Sequence, residues 1–395
     1  MTMTEQNTAP AHHARVRAIL PELAARAAET AALRRLPTEN AEALRASGAL
    51  KTIQAVHNGG LGLSMRDHLD TISALGEACG STAWCVGVIH AHSWLLSHFP
   101  IAGQDAAYGA NPDAIVSAVI GPRGRATQTE NGYVLSGFWP FASGNAVSDW
   151  LLLGAVVVDS NGDVIDQGDF LVPTSAVTRQ DDWFVNGLTG TGSCSVSVEN
   201  LEVSTDRYLS LVGLIMTGVG PGSDLENEWN QRCAPVPVLA LALTGGAIGI
   251  ARRALQDFPA LIRGKTIAYT TDDQYSHPIT HIQAGNAAML IHEGEVLLYH
   301  CADQIDAAAR ESRVLDVSIR ARMRLDCAQG VRRCLEGVEV LFHASGASGI
   351  RLSSPLTRAV ADLRAINQHG LLNLEMNQEL YGRIVLGLDP NTPLI

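Results

Sequence analysis

Residues 114–138 read AIVSAVIGPRGRATQTENGYVLSGF. In this stretch, short runs rich in β-branched residues alternate with turn-forming residues, a pattern typical of β-strands. Asn131-Gly132 stands between two such runs, and this dipeptide is the strongest short-range signal for a β-hairpin. Similar runs continue to residue 203. The sequence therefore predicts a β-rich region of about 95 residues, from Pro112 to Tyr208.

On both sides of this region the sequence favours helices. Residues 14–108 carry apolar positions at helical spacing, and the segment from Ser64 to Asp67 has a capping pattern at a helix start. Residues 211–237 are rich in Gly and Pro and predict a long loop, after which long helical segments return. The predicted fold class is α+β. Its three parts are a helical domain at 1–110, an antiparallel β domain at 111–210 and a helical region at 211–395.

The composition narrows the class of protein. Of 395 residues, 46% are hydrophobic and 17% are charged, which is typical of a folded chain. The formal net charge of -12 disfavours nucleic-acid and anionic-membrane partners, since both require basic surfaces. Seven scattered cysteines without a CxxC pair favour a reducing compartment. The N-terminus lacks a signal-peptide pattern, and the longest apolar run, Val238–Ile250, is shorter than the roughly 20 residues that span a bilayer. We therefore expect a cytoplasmic protein.

Several motifs fail when their spacing is checked. Gly264-Lys265-Thr266 resembles the end of a phosphate-binding loop, but Pro259 stands where that loop needs its first Gly. Gly187, Gly190 and Gly192 do not form GxGxxG, so no dinucleotide-binding fold for NAD(P)H is predicted. No group of His and Cys residues has the spacing of metal ligands, and no metal site is predicted.

The order of helices, strands and helices resembles the acyl-CoA dehydrogenase superfamily over nearly the whole chain. The motifs that carry the resemblance are Gly137-Phe-Trp-Pro-Phe-Ala-Ser-Gly144, Trp183-Phe-Val-Asn-Gly-Leu-Thr-Gly-Thr-Gly-Ser193, Arg263, His343-Ala-Ser-Gly-Ala-Ser-Gly349, Ser354-Pro-Leu-Thr-Arg358 and Asp362-Leu-Arg364. In that family such segments pass the flavin ring, form a Gly-rich turn at the flavin pyrophosphate, and supply an Arg that reaches it, often across a subunit contact. The resemblance implies a central β-barrel-like domain and a C-terminal four-helix bundle.

The segment Ala365-Ile-Asn-Gln-His-Gly-Leu-Leu372 departs from the dehydrogenases. Dehydrogenases with their base here carry a Tyr-Glu-Gly-Thr-type element, because removing an α-proton from a thioester requires a strong base. This chain has no carboxylate in that stretch. Its His369 instead resembles the flavin monooxygenases of the same fold, such as the p-hydroxyphenylacetate and secosteroid phenol hydroxylases and a related indole oxygenase.

The resemblance implies an active site with three sets of residues. The catalytic set is His369, Ser143 and His92. The cofactor contacts are Trp84, Trp139, Ser143, Arg263, Ser345, Gly346 and Ser348. The substrate pocket is formed by Trp84, His92, Phe138 and Trp229. Trp84 and His92 are eight residues apart, about 80° around a helix, so both can lie on one face.

The chemistry of this site makes two demands on side chains. A C4a-hydroperoxyflavin must be kept from water and given a hydrogen-bond partner near its N5 atom, and Ser143 could donate that bond. A phenol or indole becomes a better nucleophile when its proton is lost or polarised. His369 suits this task, since the ordinary pKa of His lies near neutrality.

Each of these residues also has an ordinary structural interpretation. Trp84 and His92 could be core residues, and His369 could only form a hydrogen bond near a helix end. The remaining alternatives are a turn serine for Ser143, a solvated helix-end charge for Arg263 and a helix C-cap for Ser345–Gly349.

The sequence therefore predicts the oxygenase component of a flavin-dependent monooxygenase that hydroxylates an aromatic substrate with O2 and reduced FAD or FMN. The Gly-rich turn and Arg263 favour FAD. The resemblance further implies a separate NAD(P)H:flavin reductase and a homo-oligomer, a dimer of dimers. The alternatives are an acyl-CoA dehydrogenase-like oxidoreductase with a displaced base, an N- or S-oxygenating relative, and a non-catalytic helical scaffold.

Overall fold

The computed structural model describes residues 8–395. The first seven residues, which belong to the predicted N-terminal domain and to the segment without a signal-peptide pattern, lie outside the described residues. The chain forms helices up to Tyr108, strands from Val116 to Ser210, and helices again from Leu211.

From residue 8 to residue 110, the N-terminal part forms six α-helices. Ser64 begins the fourth of them with a capping box, in which its hydroxyl accepts from the Asp67 amide and Asp67 accepts from the Ser64 amide. Gly48 ends the third in a left-handed conformation (φ 75°) that favours glycine. The helices are α1 Ala9–Ala25, α2 Ala27–Leu33, α3 Thr38–Ser47, α4 Met65–Ala78, α5 Gly80–Leu96 and α6 Ile101–Tyr108.

The central part is a seven-stranded sheet. Its strands are β1 Val116–Thr129, β2 Gly132–Trp139, β3 Trp150–Val158, β4 Val164–Pro173, β5 Thr178–Arg179, β6 Val196–Ser204 and β7 Tyr208–Ser210. The hydrogen-bonded order is β5-β6-β2-β1-β3-β4-β7. The Asn131-Gly132 hairpin between β1 and β2 is confirmed.

The prediction of a purely antiparallel barrel is wrong in one respect, because the sheet is mixed. The β1–β2 hairpin returns the chain to the end where β1 began, and the segment 140–149 then crosses to the other edge of β1. Strand β3 consequently runs parallel to β1, with Val116 opposite Trp150. The hydrogen-bonded order also leaves β5 and β7 as edge strands.

The C-terminal part is helical, and the predicted loop at 211–237 already contains two short helices. The elements are α7 Leu211–Thr217, α8 Pro235–Leu241, α9 Gly245–Ile262, α10 Pro278–Arg310, α11 Val317–Ala344, α12 Pro355–Asn367 and α13 Leu374–Val385. Within residues 8–395, the stretch Pro235–Ile262 is long and apolar enough to cross a membrane, with mean hydropathy 1.5. However, 83% of its most apolar window is buried inside the fold, so it belongs to the core.

A close crossing of α4 and α9 joins the N- and C-terminal helices. A Cβ added at Gly249 would lie 2.0 Å from the Ser73 carbonyl oxygen, and one at Gly76 would lie 2.8 Å from that of Gly246. Only glycine permits this approach of two backbones. The crossing fixes α5, which follows α4 directly, against the C-terminal helices.

The interior holds many ionisable side chains. Burial lowers the pKa of six histidines, here called the desolvated histidines: His12, His68, His90, His92, His98 and His369. Burial raises the pKa of three carboxyls: Asp169, Asp306 and Asp362. The histidines are therefore held neutral at pH 7.

All seven cysteines are free thiols. Cys194 is half-buried, and the other six are buried. Burial raises the pKa of several of these thiols, which keeps them protonated: Cys79, Cys85, Cys233 and Cys334.

Candidate active site

A large cavity lies where α5, the loops of the sheet and the C-terminal helices meet. Its volume is about 1540 Å³. Pockets for a single drug-sized ligand are typically about 300–1,000 Å³, so there is room for a cofactor and a second small molecule. Helix α5 lines it with Trp84 and His92, the segment after β2 with Ser143, the loop before β6 with Thr191 and Ser193, and the segment after α12 with His369.

A series of hydrogen bonds between side chains, here called the hydroxyl chain, runs along one wall of the cavity. The Trp84 indole Nε1 donates to Ser143 Oγ at 3.0 Å. Ser143 Oγ lies 2.7 Å from Ser193 Oγ, which lies 2.7 Å from Thr191 Oγ1. The Thr191 hydroxyl donates to the Leu188 carbonyl oxygen at 2.9 Å. Four side chains from three parts of the sequence are thereby held together.

The two ends of this chain set the direction of its protons. An indole N–H can only donate and a carbonyl oxygen can only accept. All contacts are satisfied when Ser143 donates to Ser193, Ser193 donates to Thr191, and Thr191 donates to Leu188. This arrangement differs from the predicted role of Ser143, because its hydroxyl proton is engaged by Ser193. Toward a ligand, Ser143 offers a lone pair, which is an acceptor.

His369 lies beside Trp84, their ring centroids 5.7 Å apart at an edge-on angle of 60°. Its Nδ1 accepts from the Leu371 amide at 3.3 Å and so caps the turn Gly370–Leu372. The proton of the neutral ring is therefore on Nε2, which has no hydrogen-bond partner among residues 8–395. Burial lowers the pKa of His369 to about 4, so the ring is neutral at pH 7.

His92 is buried, and like Trp84 it belongs to the part of α5 that lines the cavity. Burial, reinforced by the neighbouring His369, lowers its pKa to about 3. Its Nδ1 has no hydrogen-bond partner within the described residues. The two cavity histidines are thus both neutral, and the proximity of His369 disfavours a positive charge on His92.

Three aromatic residues that were predicted to contact the flavin or the substrate lie away from the cavity. Trp139 is fully buried in the core of the sheet, where its indole packs over Gly124 and donates to the Gly154 carbonyl oxygen at 2.7 Å. Phe138 is the preceding residue on β2, so it points to the opposite face and is 46% exposed. Trp229 packs under the guanidinium of Arg310, which lies 4.2 Å from its ring centroid. None of these three aromatic side chains lines the cavity.

The predicted pyrophosphate residues form a separate surface cluster. Lys265 Nζ donates to Ser348 Oγ at 2.6 Å and lies 3.5 Å from the Ser345 carbonyl oxygen. Arg263 is exposed and stacks on Tyr275 at 5.0 Å. We call Arg263, Lys265, Ser345, Gly346 and Ser348 the 263–348 cluster. It does not contribute to the cavity lining of its own chain.

The sequence reasoning overlooked several cavity residues. The segment Thr189–Ser193 carries three hydroxyl-bearing residues, a signal by which Thr191 and Ser193 could be predicted as site residues. Phe141, which lines the cavity, has a left-handed backbone (φ 66°) and meets Trp183 edge-on at 6.0 Å. Such strain in a non-glycine residue is common at functional sites, but a sequence does not show it.

Asp362 and Arg364, which belong to one motif in the sequence, bind different partners in the structure. Asp362 is buried, and its carboxylate accepts from the Leu188 amide at 2.6 Å. Burial raises the pKa of Asp362 to about 6. Arg364 is exposed and pairs with Glu339 at 2.8 Å. Asp362 therefore anchors the residue that ends the hydroxyl chain.

Comparisons with known proteins bear on the fold and on the class of protein. The family model described as acyl-CoA dehydrogenase, C-terminal domain, matches residues 241–374. The structure of the HsaA monooxygenase from Mycobacterium tuberculosis superposes with a TM-score of 0.92 at 26% identity, over 98% of this chain and 100% of that one. XiaF from Streptomyces, in complex with FADH2 and glycerol, superposes with a TM-score of 0.91 at 28% identity, over 98% and 97%. The C-terminal part is therefore acyl-CoA dehydrogenase-like, as predicted, and the whole chain has the fold of the HsaA monooxygenase.

The curated relatives narrow the class further. The oxygenase subunit HsaA of a flavin-dependent monooxygenase from Mycobacterium tuberculosis is 27% identical over 100% of both chains. The oxygenase component of an FADH(2)-dependent resorcinol hydroxylase from Rhizobium is 29% identical over 92% of this chain and 91% of its own. Within the acyl-CoA dehydrogenase fold, the chain is a homologue of flavin-dependent monooxygenase oxygenase components, which confirms the resemblance seen in the sequence.

Proposed function

We propose that this protein uses reduced flavin and O2 to hydroxylate an aromatic substrate of the phenol or indole type. The observation that carries the proposal is the cavity wall on which a neutral His369, Trp84 and Ser143 lie side by side. The resorcinol hydroxylase among the relatives supports a phenolic substrate, and the FADH2 bound by XiaF supports FAD as the flavin. Reduced flavin, when bound, would activate O2 and supply two electrons, so that one oxygen atom of O2 goes to the substrate and the other to water.

The residues of the cavity fit a flavin ring. Trp84 and the Phe141–Trp183 pair provide aromatic walls, and Ser143 provides a polar contact for the ring edge. The room that remains in about 1540 Å³ would hold a small aromatic molecule next to the flavin. We assign Trp84 and Ser143 to the flavin ring, and His369 and His92 to the substrate side.

His369 would act on the proton of the substrate. With its own proton on Nε2, the ring donates to the oxygen of a bound phenol and orients it. To accept a hydrogen bond from the phenol at Nε2, the neutral ring must carry its own proton on Nδ1, which gives up only the 3.3 Å bond from Leu371. His92, neutral and adjacent, would keep the substrate side free of positive charge and of water.

The dehydrogenase alternative requires a free carboxylate base, and the cavity offers none. The carboxylates that line it are Glu336, Glu339 and Glu379. Each has a partner: Arg333 at 2.9 Å, Arg364 at 2.8 Å and Asn391 at 2.9 Å, respectively. Removal of an α-proton from a thioester is therefore the less suitable reaction for this site.

We further propose that the protein is a homo-oligomer, with the 263–348 cluster contacting the flavin pyrophosphate of a neighbouring chain. The cluster lies outside its own cavity, and in the family that the sequence resembles, an Arg at the position of Arg263 often reaches the pyrophosphate across a subunit contact. An apolar stripe on the longest helix, α10, supports the assembly: Ile282, Met289 and Val296 recur every seven residues and are 71%, 57% and 52% exposed. Met289→Glu should lower the mass measured by light scattering from a multiple of 41.9 kDa toward a single chain.

A separate NAD(P)H:flavin reductase would supply the reduced flavin, since the chain carries no dinucleotide-binding motif. A cytoplasmic location completes the proposal. The test is to mix the protein with photoreduced FAD or FMN, then with ¹⁸O2 and a panel of phenols and indoles. One ¹⁸O atom in the product supports the proposal. Desaturation of an acyl-CoA would instead establish a dehydrogenase, and the absence of flavin binding would indicate a scaffold.

A further inference from the structure

The hydroxyl chain from Trp84 to Leu188 has a fixed direction that can distinguish two redox states of a ligand. The hydroxyl chain ends at the Leu188 carbonyl group, which is held rigidly. The Leu188 amide donates to the buried carboxylate of Asp362 at 2.6 Å, and the Leu188 carbonyl oxygen also accepts from the Thr191 amide at 3.1 Å. Leu188 itself is left-handed (φ 50°). The acceptor at this end therefore cannot turn away.

Reversing the direction in which the hydroxyl groups donate along the hydroxyl chain would cost a hydrogen bond. If Thr191 donated to Ser193 and Ser193 to Ser143, the hydroxyl proton of Ser143 would be free to donate to a ligand. Thr191 Oγ1 and the Leu188 carbonyl oxygen would then face each other at 2.9 Å without a proton between them. Because the contact is buried, water does not compensate for the loss. The chain therefore favours the direction in which Ser143 is an acceptor.

A flavin N5 atom changes its hydrogen-bond character with the redox state. In reduced flavin N5 carries a hydrogen and donates, whereas in oxidised flavin N5 has a lone pair and accepts. We infer that Ser193 and Thr191 make this site selective for reduced flavin, by committing the Ser143 proton and leaving Ser143 as an acceptor for N5–H. This inference rests on the proposed function, which places the flavin N5 edge at Ser143.

Ser193 and Thr191 are positioning residues in this scheme, because they act on the flavin through Ser143. Oxidised flavin would either meet a lone pair on Ser143 or require the reversed chain. One neutral hydrogen bond corresponds to about a two- to tenfold difference in affinity. The ratio of the dissociation constants for oxidised and reduced flavin should contain a factor of that size.

The experiment measures this ratio by anaerobic titration of FAD and photoreduced FAD, with tryptophan fluorescence as the readout. Ser193→Ala removes the acceptor of the Ser143 proton, and Thr191→Val removes the acceptor of the Ser193 proton with little change in shape. Both variants free Ser143 to donate to oxidised N5, so the ratio should fall by about two- to tenfold in each. The control is Ser97→Ala, a buried serine away from the cavity that donates to the Trp94 carbonyl oxygen at 2.6 Å.

The outcomes separate the inference from the proposed function. A wild-type protein that binds reduced FAD more tightly, with an unchanged ratio in both variants, overturns the inference and leaves the function intact. Equal affinity of the wild type for both redox states overturns it as well. A wild type that binds neither form overturns the proposed function and the inference together. If Ser193→Ala does not fold, the near-isosteric Thr191→Val decides alone.

Discussion

Replacement of His369 by Ala separates a catalytic role from a structural one. The variant loses the hydrogen bond from the Leu371 amide, a turn cap, and the edge contact with Trp84. A lost cap costs about 1 kcal/mol and an aromatic pair about 0.5–1.5 kcal/mol. The free energy of unfolding should therefore fall by about 1.5–2.5 kcal/mol. Oxygen transfer should slow by roughly 10²–10⁴-fold, as is typical when a general acid–base group is removed.

The assay is a single turnover in which reduced FAD, bound anaerobically, is mixed with O2 and the substrate. Product formed per flavin is measured together with denaturant unfolding of the same sample. Asn373→Ala is the matched control, because Asn373 caps the next helix by accepting from the Met376 amide at 2.9 Å and does not line the cavity. It should show a similar loss of stability and an unchanged product yield.

A His369→Ala variant that keeps the full product yield per flavin, while losing stability as the control does, would refute this role for His369. A yield lost to the same degree in both variants would show that the effect comes from distortion of the segment after α12. Binding of reduced FAD should remain within a few-fold of wild type, since the ring faces the substrate side.

Three further results are expected. Ser143→Ala should raise the peroxide released per O2 consumed by about two- to tenfold, the effect of one neutral hydrogen bond, as measured with a peroxidase-coupled assay. Denaturant titrations should show stability falling as the pH drops from 6.5 toward 4. In that range the unfolded chain protonates the six desolvated histidines while the folded chain does not, so each of them lowers the free energy of unfolding as the pH falls. The three carboxyls of raised pKa offset this loss in part. Gly187→Ala should cost about 1–3 kcal/mol in thermal unfolding, because its Cβ would lie 2.1 Å from the Ala361 carbonyl oxygen. Gly285→Ala, which has open space in an exposed helix, should stabilise slightly.

Local signals in the sequence were sufficient for much of the fold. The Asn131-Gly132 hairpin, the Ser64–Asp67 capping box and the Gly48 helix end each depend on neighbouring residues, and all three are present. The parallel pairing of β1 with β3 depends on which edge the chain reaches after residue 149. Strand periodicity carries no information about that choice.

The site was predicted only where a motif and its geometry coincide. Trp84, His92, Ser143 and His369 all line the cavity, and their catalytic tasks remain predictions. Trp139 was misplaced because a strand directs successive side chains to opposite faces, and its own β2 turns it into the sheet core. The direction of donation along the hydroxyl chain could not be predicted from the sequence, since it depends on contacts between residues 84, 143, 188, 191 and 193, which belong to three separate parts of the sequence.

The burial of the thiols has a consequence for an enzyme that handles O2. Whenever oxygen transfer fails, hydrogen peroxide is released within the protein, and peroxide oxidises thiolates far faster than thiols. Six of the seven cysteines are out of contact with solvent, and burial holds those with raised pKa in the thiol form. Only the half-buried Cys194 lies within reach of peroxide, one residue from Ser193 at the cavity wall. Oxidative damage should therefore be detected first at that single position, by mass spectrometry of protein that has turned over without substrate.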